Sequence, residues 1–149
     1  MQPKVGSAPF DLLKAESFVR GESTLAVLCD QPFDEVAARL QGSIVANGML
    51  IVQMHDLGRM LAGKGLPLGI RCRVYEVCDP QLAAQLIAQD PGLAHVLPCR
   101  IAMHDQGGVT TVTVPRPRVL MTEFSHAPEV GRLARSFESG LQRVLRGLR

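Results

Sequence analysis

Cys78 stands directly before Asp79-Pro80, and Cys99 directly after Leu97-Pro98. Asp-Pro is a helix-start signal, so the Cys78 thiol is expected at a helix N-terminus, where the positive dipole end and free N–H groups lower a thiol pKa. That gives Cys78 a physical basis for nucleophilic attack or metal ligation. Cys99 would be its resolving partner or a second ligand, and both sit at strand boundaries, where loops and helix ends build most ligand sites. The competing reading is packing, because free cysteine is among the most buried residue types.

A second pattern repeats along the chain: Met54-His55-Asp56 and Met103-His104-Asp105 each end a strand-like run. If the two strands lie side by side, their imidazoles meet on one polar face, and histidine with thiolate or thioether suits zinc, copper(I) or haem iron. Against this, the chain has neither CxxC nor HxxxH, so no local ligand pair supports the cluster. His55 is the stronger candidate of the two, since His104 opens a tight hairpin.

Gly58-Arg59-Met60-Leu61-Ala62-Gly63-Lys64 matches the first seven positions of a phosphate-binding P-loop but has Gly65 where Ser or Thr must ligate Mg²⁺. Nucleotide hydrolysis is therefore not expected. Lys64 remains a candidate for an anionic ligand, with an exposed helix-end lysine as the plainer alternative. Ser125-His126 invites a hydrolase triad with Asp105, Asp56 or Glu123, yet no GxSxG elbow accompanies it, and Ser125 reads better as a residue capping or preceding the last helix.

The elements that must position these residues follow from length and periodicity. A chain of 149 residues fits one domain, burying about 70% of its unfolded surface without needing a disulfide or metal. Aromatics are 4% with no Trp, and net charge is +2, which argues against the stacking platforms and basic surfaces of nucleic-acid binders. Asp11, Lys14 and Glu16 interrupt any signal-peptide h-region, and no 18-residue apolar run is present. A cytoplasmic protein is expected, its four cysteines reduced.

Residues 23–29, 49–54, 70–77, 99–104 and 109–114 read as strands. Helices are expected behind Asp30 and Pro32 up to Gly48, over two turns near 56–65, after Asp79-Pro80 to Asp90-Pro91-Gly92, and from about Pro128 to Leu148. Strict alternation puts Leu50, Val52 and Met54 on one strand face, with Ile51, Gln53 and His55 on the other. Asp105-Gln106-Gly107-Gly108 is a hairpin turn, and Pro115 and Pro117 break the strand behind it. Val130, Leu133, Ala134, Phe137, Leu141, Val144 and Leu145 form one apolar stripe. The fold class is α/β, an α+β sandwich: a small mixed or antiparallel sheet of about five strands flanked by helices, with a long C-terminal helix.

The succession Cys78-Asp79-Pro80-Gln81-Leu82-Ala83, Asp90-Pro91-Gly92-Leu93 and Leu97-Pro98-Cys99-Arg100 resembles the domain-of-unknown-function 302 family (DUF302), and its cysteine-containing subgroup in particular. The likeness covers roughly residues 23–147, leaving 1–22 as an N-terminal arm that packs on the domain or on its partner. The resemblance implies a compact α/β domain and a homodimer, and it implies no activity. The leading expectation is a ligand-binding or sensor module with a pocket near His55, Cys78 and Cys99, taking copper, zinc, haem or a small molecule. The alternative is a thiol-dependent redox or sulfur-transfer enzyme with Cys78 as nucleophile.

Overall fold

The computed structural model describes residues 18–20 and 23–149. Six strands form one sheet in the order β1-β2-β6-β5-β4-β3: β1 Phe18–Arg20, β2 Thr24–Cys29, β3 Leu50–Asp56, β4 Cys72–Cys78, β5 Cys99–Gln106 and β6 Val109–Pro115. Every neighbouring pair is antiparallel. The five strands read from the sequence are all present, and β1 adds an edge from within the expected arm; the rest of that arm lies outside the described residues.

The helices are α1 Phe33–Ala46, α2 Leu57–Ala62, α3 Pro80–Gln89, α4 Pro117–Phe124 and α5 Val130–Arg146. The seven-residue stripe expected on α5 is buried throughout, and α5 packs on α1, α3, α4 and β2. Alternation assigns the two sheet faces. Tyr75, Val77, Ile101, Met103, Val112 and Val114 are buried beneath the helices, while Cys72, Val74, Glu76 and Cys78 of β4 point the other way.

Local chemistry explains the better-defined boundaries. Asp79 accepts a hydrogen bond from Leu82 N at 3.1 Å, and Pro80 occupies the first helical position of α3. Gly48, at φ 75°, leaves α1 in the left-handed region where a Cβ is costly. The β5–β6 turn is narrower than the four residues expected: Gly107 and Gly108 have φ 60° and 81°, the paired positive values of a two-residue hairpin. α1 corrects a second expectation, since Pro32 rather than Asp30 is its N-cap and no side chain caps it. Asp34 and Glu35 in its first turn complement the dipole instead.

Besides β1, two elements have no counterpart in the sequence reading. Pro117, taken there as a strand breaker, is the first residue of α4, and Pro91 opens a 3-10 helix running Pro91–Val96. In β3 the pairing skips from Ile51–Val77 to Gln53–Glu76. Val52 is the extra residue of a β-bulge, and it breaks the strict alternation assumed for this strand. Leu50 therefore shares the open face with Gln53 and His55, and Met54 shares the helix face with Ile51.

Candidate functional site

On the open face, one row of cross-strand partners runs Gln53, Glu76, Arg100 across β3, β4 and β5. Glu76 is the hub of this row. Its Oε2 lies 3.4 Å from His55 Nε2, and its Oε1 accepts from Arg100 Nη2 at 3.4 Å. The Glu76 side chain is 18% exposed against 41% for His55 and 68% for Arg100, so a shielded carboxylate is flanked by two more accessible donors. The polar placement expected for His55 holds, and the bulge at Val52 is what turns it toward Glu76.

The two cysteines do not meet. Val77 is the direct partner of Cys99, so Cys99 shares the helix face with Val77, and Cys78, one residue on, points to the opposite face. The nucleophile and resolving pair expected of them is corrected by this register, because a sheet lies between the sulfurs. Their acidities are corrected too. Burial, and then the nearby Asp79 carboxylate, push the Cys78 thiol up, opposite to the direction expected of a helix N-terminus. Burial pushes the Cys99 thiol up to about 12, so it is a protonated, apolar core group at neutral pH.

The two histidines are likewise separated. β4 lies between β3 and β5, and strands two places apart stand about 9.6 Å from each other; His55 is partnered by Val74 and His104 by Cys72. The side-by-side strands expected from the Met-His-Asp repeat are thus replaced by strands sharing a face with one between. Among the described residues, no group of three or more His, Cys, Asp or Glu is placed to hold a metal ion.

Lys64 sits exposed in the turn after α2, its backbone N–H bonded to Leu61 O at 3.0 Å, with no phosphate-cradling loop around it. Ser125 is buried at the C-terminal end of α4. It bonds the Asp90 carboxyl and, with Gly92 N, holds that group below its ordinary range. Its oxygen also accepts from Ala127 N at 3.3 Å, so Ser125 ties α4 to α3 rather than serving a triad.

The residues that do converge line a cavity of about 240 Å³ where β5 begins and β6 ends, among them Glu76, His95, Leu97, Cys99, Arg100 and Leu120. Of the expected set only Cys99 lines it directly, and His55 reaches it through Glu76. The sequence reading missed Glu76, Arg100 and His95. Glu76 carried a signal, the one carboxylate of β4, in step with Cys72 and Val74. His95 carried none, because the 3-10 helix that presents it was unrecognised.

A model of the domain of unknown function DUF302 matches residues 25–148. Among solved structures, the chain is similar to an uncharacterised conserved DUF302 protein from Bacillus stearothermophilus, with a TM-score of 0.81 and 24% identity, over 87% of this chain and 100% of that one. No curated protein matches. At that identity the structural likeness shows the fold alone, and the family match carries the rest. Among the described residues, no helix is long and apolar enough to cross a membrane. With the cysteine-flanked helix start, the antiparallel sheet and a match spanning nearly all the described residues, the chain belongs to the DUF302 family.

Proposed function

We propose that the chain is a ligand-binding or sensor module that holds a small, mostly apolar molecule in the cavity at the start of β5. The carrying observation is the composition of that cavity: Leu97 and Leu120 form apolar walls beside Glu76, Arg100 and His95. A few convergent polar groups in an apolar recess are the usual make-up of a small-molecule site. An organic ligand fits this lining better than the zinc, copper or haem weighed from the sequence, since no cluster of donors converges there. Titrating ¹⁵N-labelled protein with hexanol, hexylamine and hexanoate is expected to move the amide resonances of Leu97, Cys99 and Leu120 saturably for at least one probe. Leu120→Trp, which fills the space, should abolish the effect. If no probe moves those resonances, the reading fails.

A homodimer is the second part of the proposal. Of ten exposed large hydrophobic residues among the described residues, seven lie between Leu50 and Ile70, with Leu50 56%, Val52 55% and Met60 55% exposed. Such clustering along an unpaired edge strand and the helix after it supports a self-contact. Sedimentation equilibrium should give twice the chain mass, falling to one chain for Val52→Lys; a monomeric parent protein would sink the idea. We place the protein in the cytoplasm, which accords with four free thiols.

A further inference from the structure

At the opposite end of β4 from that cavity, a recess of about 200 Å³ opens between α1, α2 and the start of the strand, lined by residues that include Phe33, Arg59, Ile70, Arg71 and Arg73. Arg71 and Arg73 alternate along the chain and so project to the same side. Both guanidiniums lie over one aromatic ring: Arg71 Cζ is 4.3 Å and Arg73 Cζ 5.3 Å from the Phe33 centroid. Two like charges held on a single ring repel each other unless anions compensate them.

The local carboxylates compensate only in part. Asp34 pairs with Arg71 at 2.8 Å, but both side chains are well exposed, where screening weakens an ion pair. Asp56 spends Oδ1 on capping α2 through Arg59 N at 2.9 Å, and its Oδ2 stays 3.8 Å from Arg73 Nε, beyond hydrogen-bond reach. Arg73 Nε is buried and has no hydrogen-bond partner among the described residues. A buried charged donor left unpartnered is costly and calls for an acceptor. Asp105 is a third carboxylate beside Arg71, whose backbone N–H it accepts at 2.7 Å. The guanidiniums of Arg59, Arg71 and Arg73 are thus matched in number by Asp34, Asp56 and Asp105, and the unfilled place is the buried Nε of Arg73.

We propose that this recess binds a small organic carboxylate, its oxygens on Arg71 and on Arg73 Nε and its carbon skeleton against Phe33 and Ile70. The planar guanidinium fork matches a carboxylate in shape. The apolar walls favour an organic anion over phosphate. The volume, below the roughly 300–1,000 Å³ of pockets for drug-sized ligands, suits a molecule of one ring or a short chain. Gly58 helps to close the site: a Cβ there would meet Ile70 O at 3.3 Å, a tight contact that α2 relieves only by moving slightly away. The proposal is independent of the cavity at β5, and either site can stand without the other.

Benzoate is the probe, added to the full chain with sodium chloride at matched ionic strength as reference. The Arg73 Nε–Hε resonance of the wild-type protein is expected to shift saturably with benzoate and not with chloride. Arg73→Gln should weaken benzoate binding by about tenfold or more, as loss of a charge-assisted bond does. If that variant fails to fold, the wild-type resonance still decides. An unmoved resonance, an equal shift with chloride, unchanged binding by folded Arg73→Gln, or binding of inorganic phosphate in place of benzoate each overturns the proposal.

Discussion

A thiol held above its ordinary titration range keeps its proton as the solution turns alkaline, and Cys99, pushed up to about 12 by burial, is such a group. Across the window between the ordinary thiol value and about 12 the native chain retains a proton that the unfolded chain releases. Stability contributed by the neutral thiol is therefore complete below that window and lost as pH rises through it. Cys99→Ala is expected to flatten the decline of the guanidinium midpoint with pH relative to the parent protein. The slope is the readout, because the smaller side chain carries its own packing cost. Asp79→Ala should lower stability by about 1 kcal/mol in urea unfolding, the usual loss for a helix cap. These residues also show what was legible in the sequence. Asp79-Pro80 could be read because a cap is satisfied within three residues, whereas the side of the sheet that receives Cys99 depends on pairing with Val77, 22 residues away, which no local pattern reports.

The seam between α4 and α5 is built around a buried charge. Glu138 is 6% exposed, accepts from Arg116 Nη2 at 3.0 Å and Nε at 3.2 Å, and also accepts from Arg118 N at 3.3 Å. Removing one partner of such a pair strands the other, so Glu138→Ala should cost about 3–5 kcal/mol by chemical denaturation. From sequence alone Glu138 has no evident partner, because the helix it anchors is not recognised there. Pro115 and Pro117 hid α4: proline ends a strand and starts a helix with the same fixed φ, and only the strand ending was read. Leu120, Met121 and Phe124 carried the missing periodicity. In the β5–β6 turn, Gly108 at φ 81° should tolerate a branched residue poorly. Gly108→Val is expected to lose about 1–2 kcal/mol of stability, seen as a lower thermal midpoint with the β-sheet circular dichroism retained.

Taken whole, the molecule keeps its helices on one side of the sheet and His55 and His104 on the other, with a cavity near each end of β4. The layer arrangement was readable because burial imposes periods of two and 3.6 on the apolar residues; the cavities were not, since each gathers residues from three or more distant elements. The proposed dimer carries its own thermodynamic signature: the thermal midpoint should rise with protein concentration, as mass action requires when folding and association are linked. A midpoint that stays fixed over a hundredfold dilution, about 2.7 kcal/mol of linkage for a partner binding only the native state, would count against it.

Val52 gives β3 a tolerance to changes of length. Ile51 and Gln53 are partnered by consecutive residues of β4, so excising Val52 alone leaves every remaining pair aligned and His55 still beside Glu76. A chain shortened at this one position should fold to the same architecture. What it would lose is the kink that interrupts the outermost ladder, and a straight, apolar border invites one copy after another to add on without end. The shortened chain is expected to scatter more light on warming than the parent, the outcome if the bulge keeps the proposed association finite.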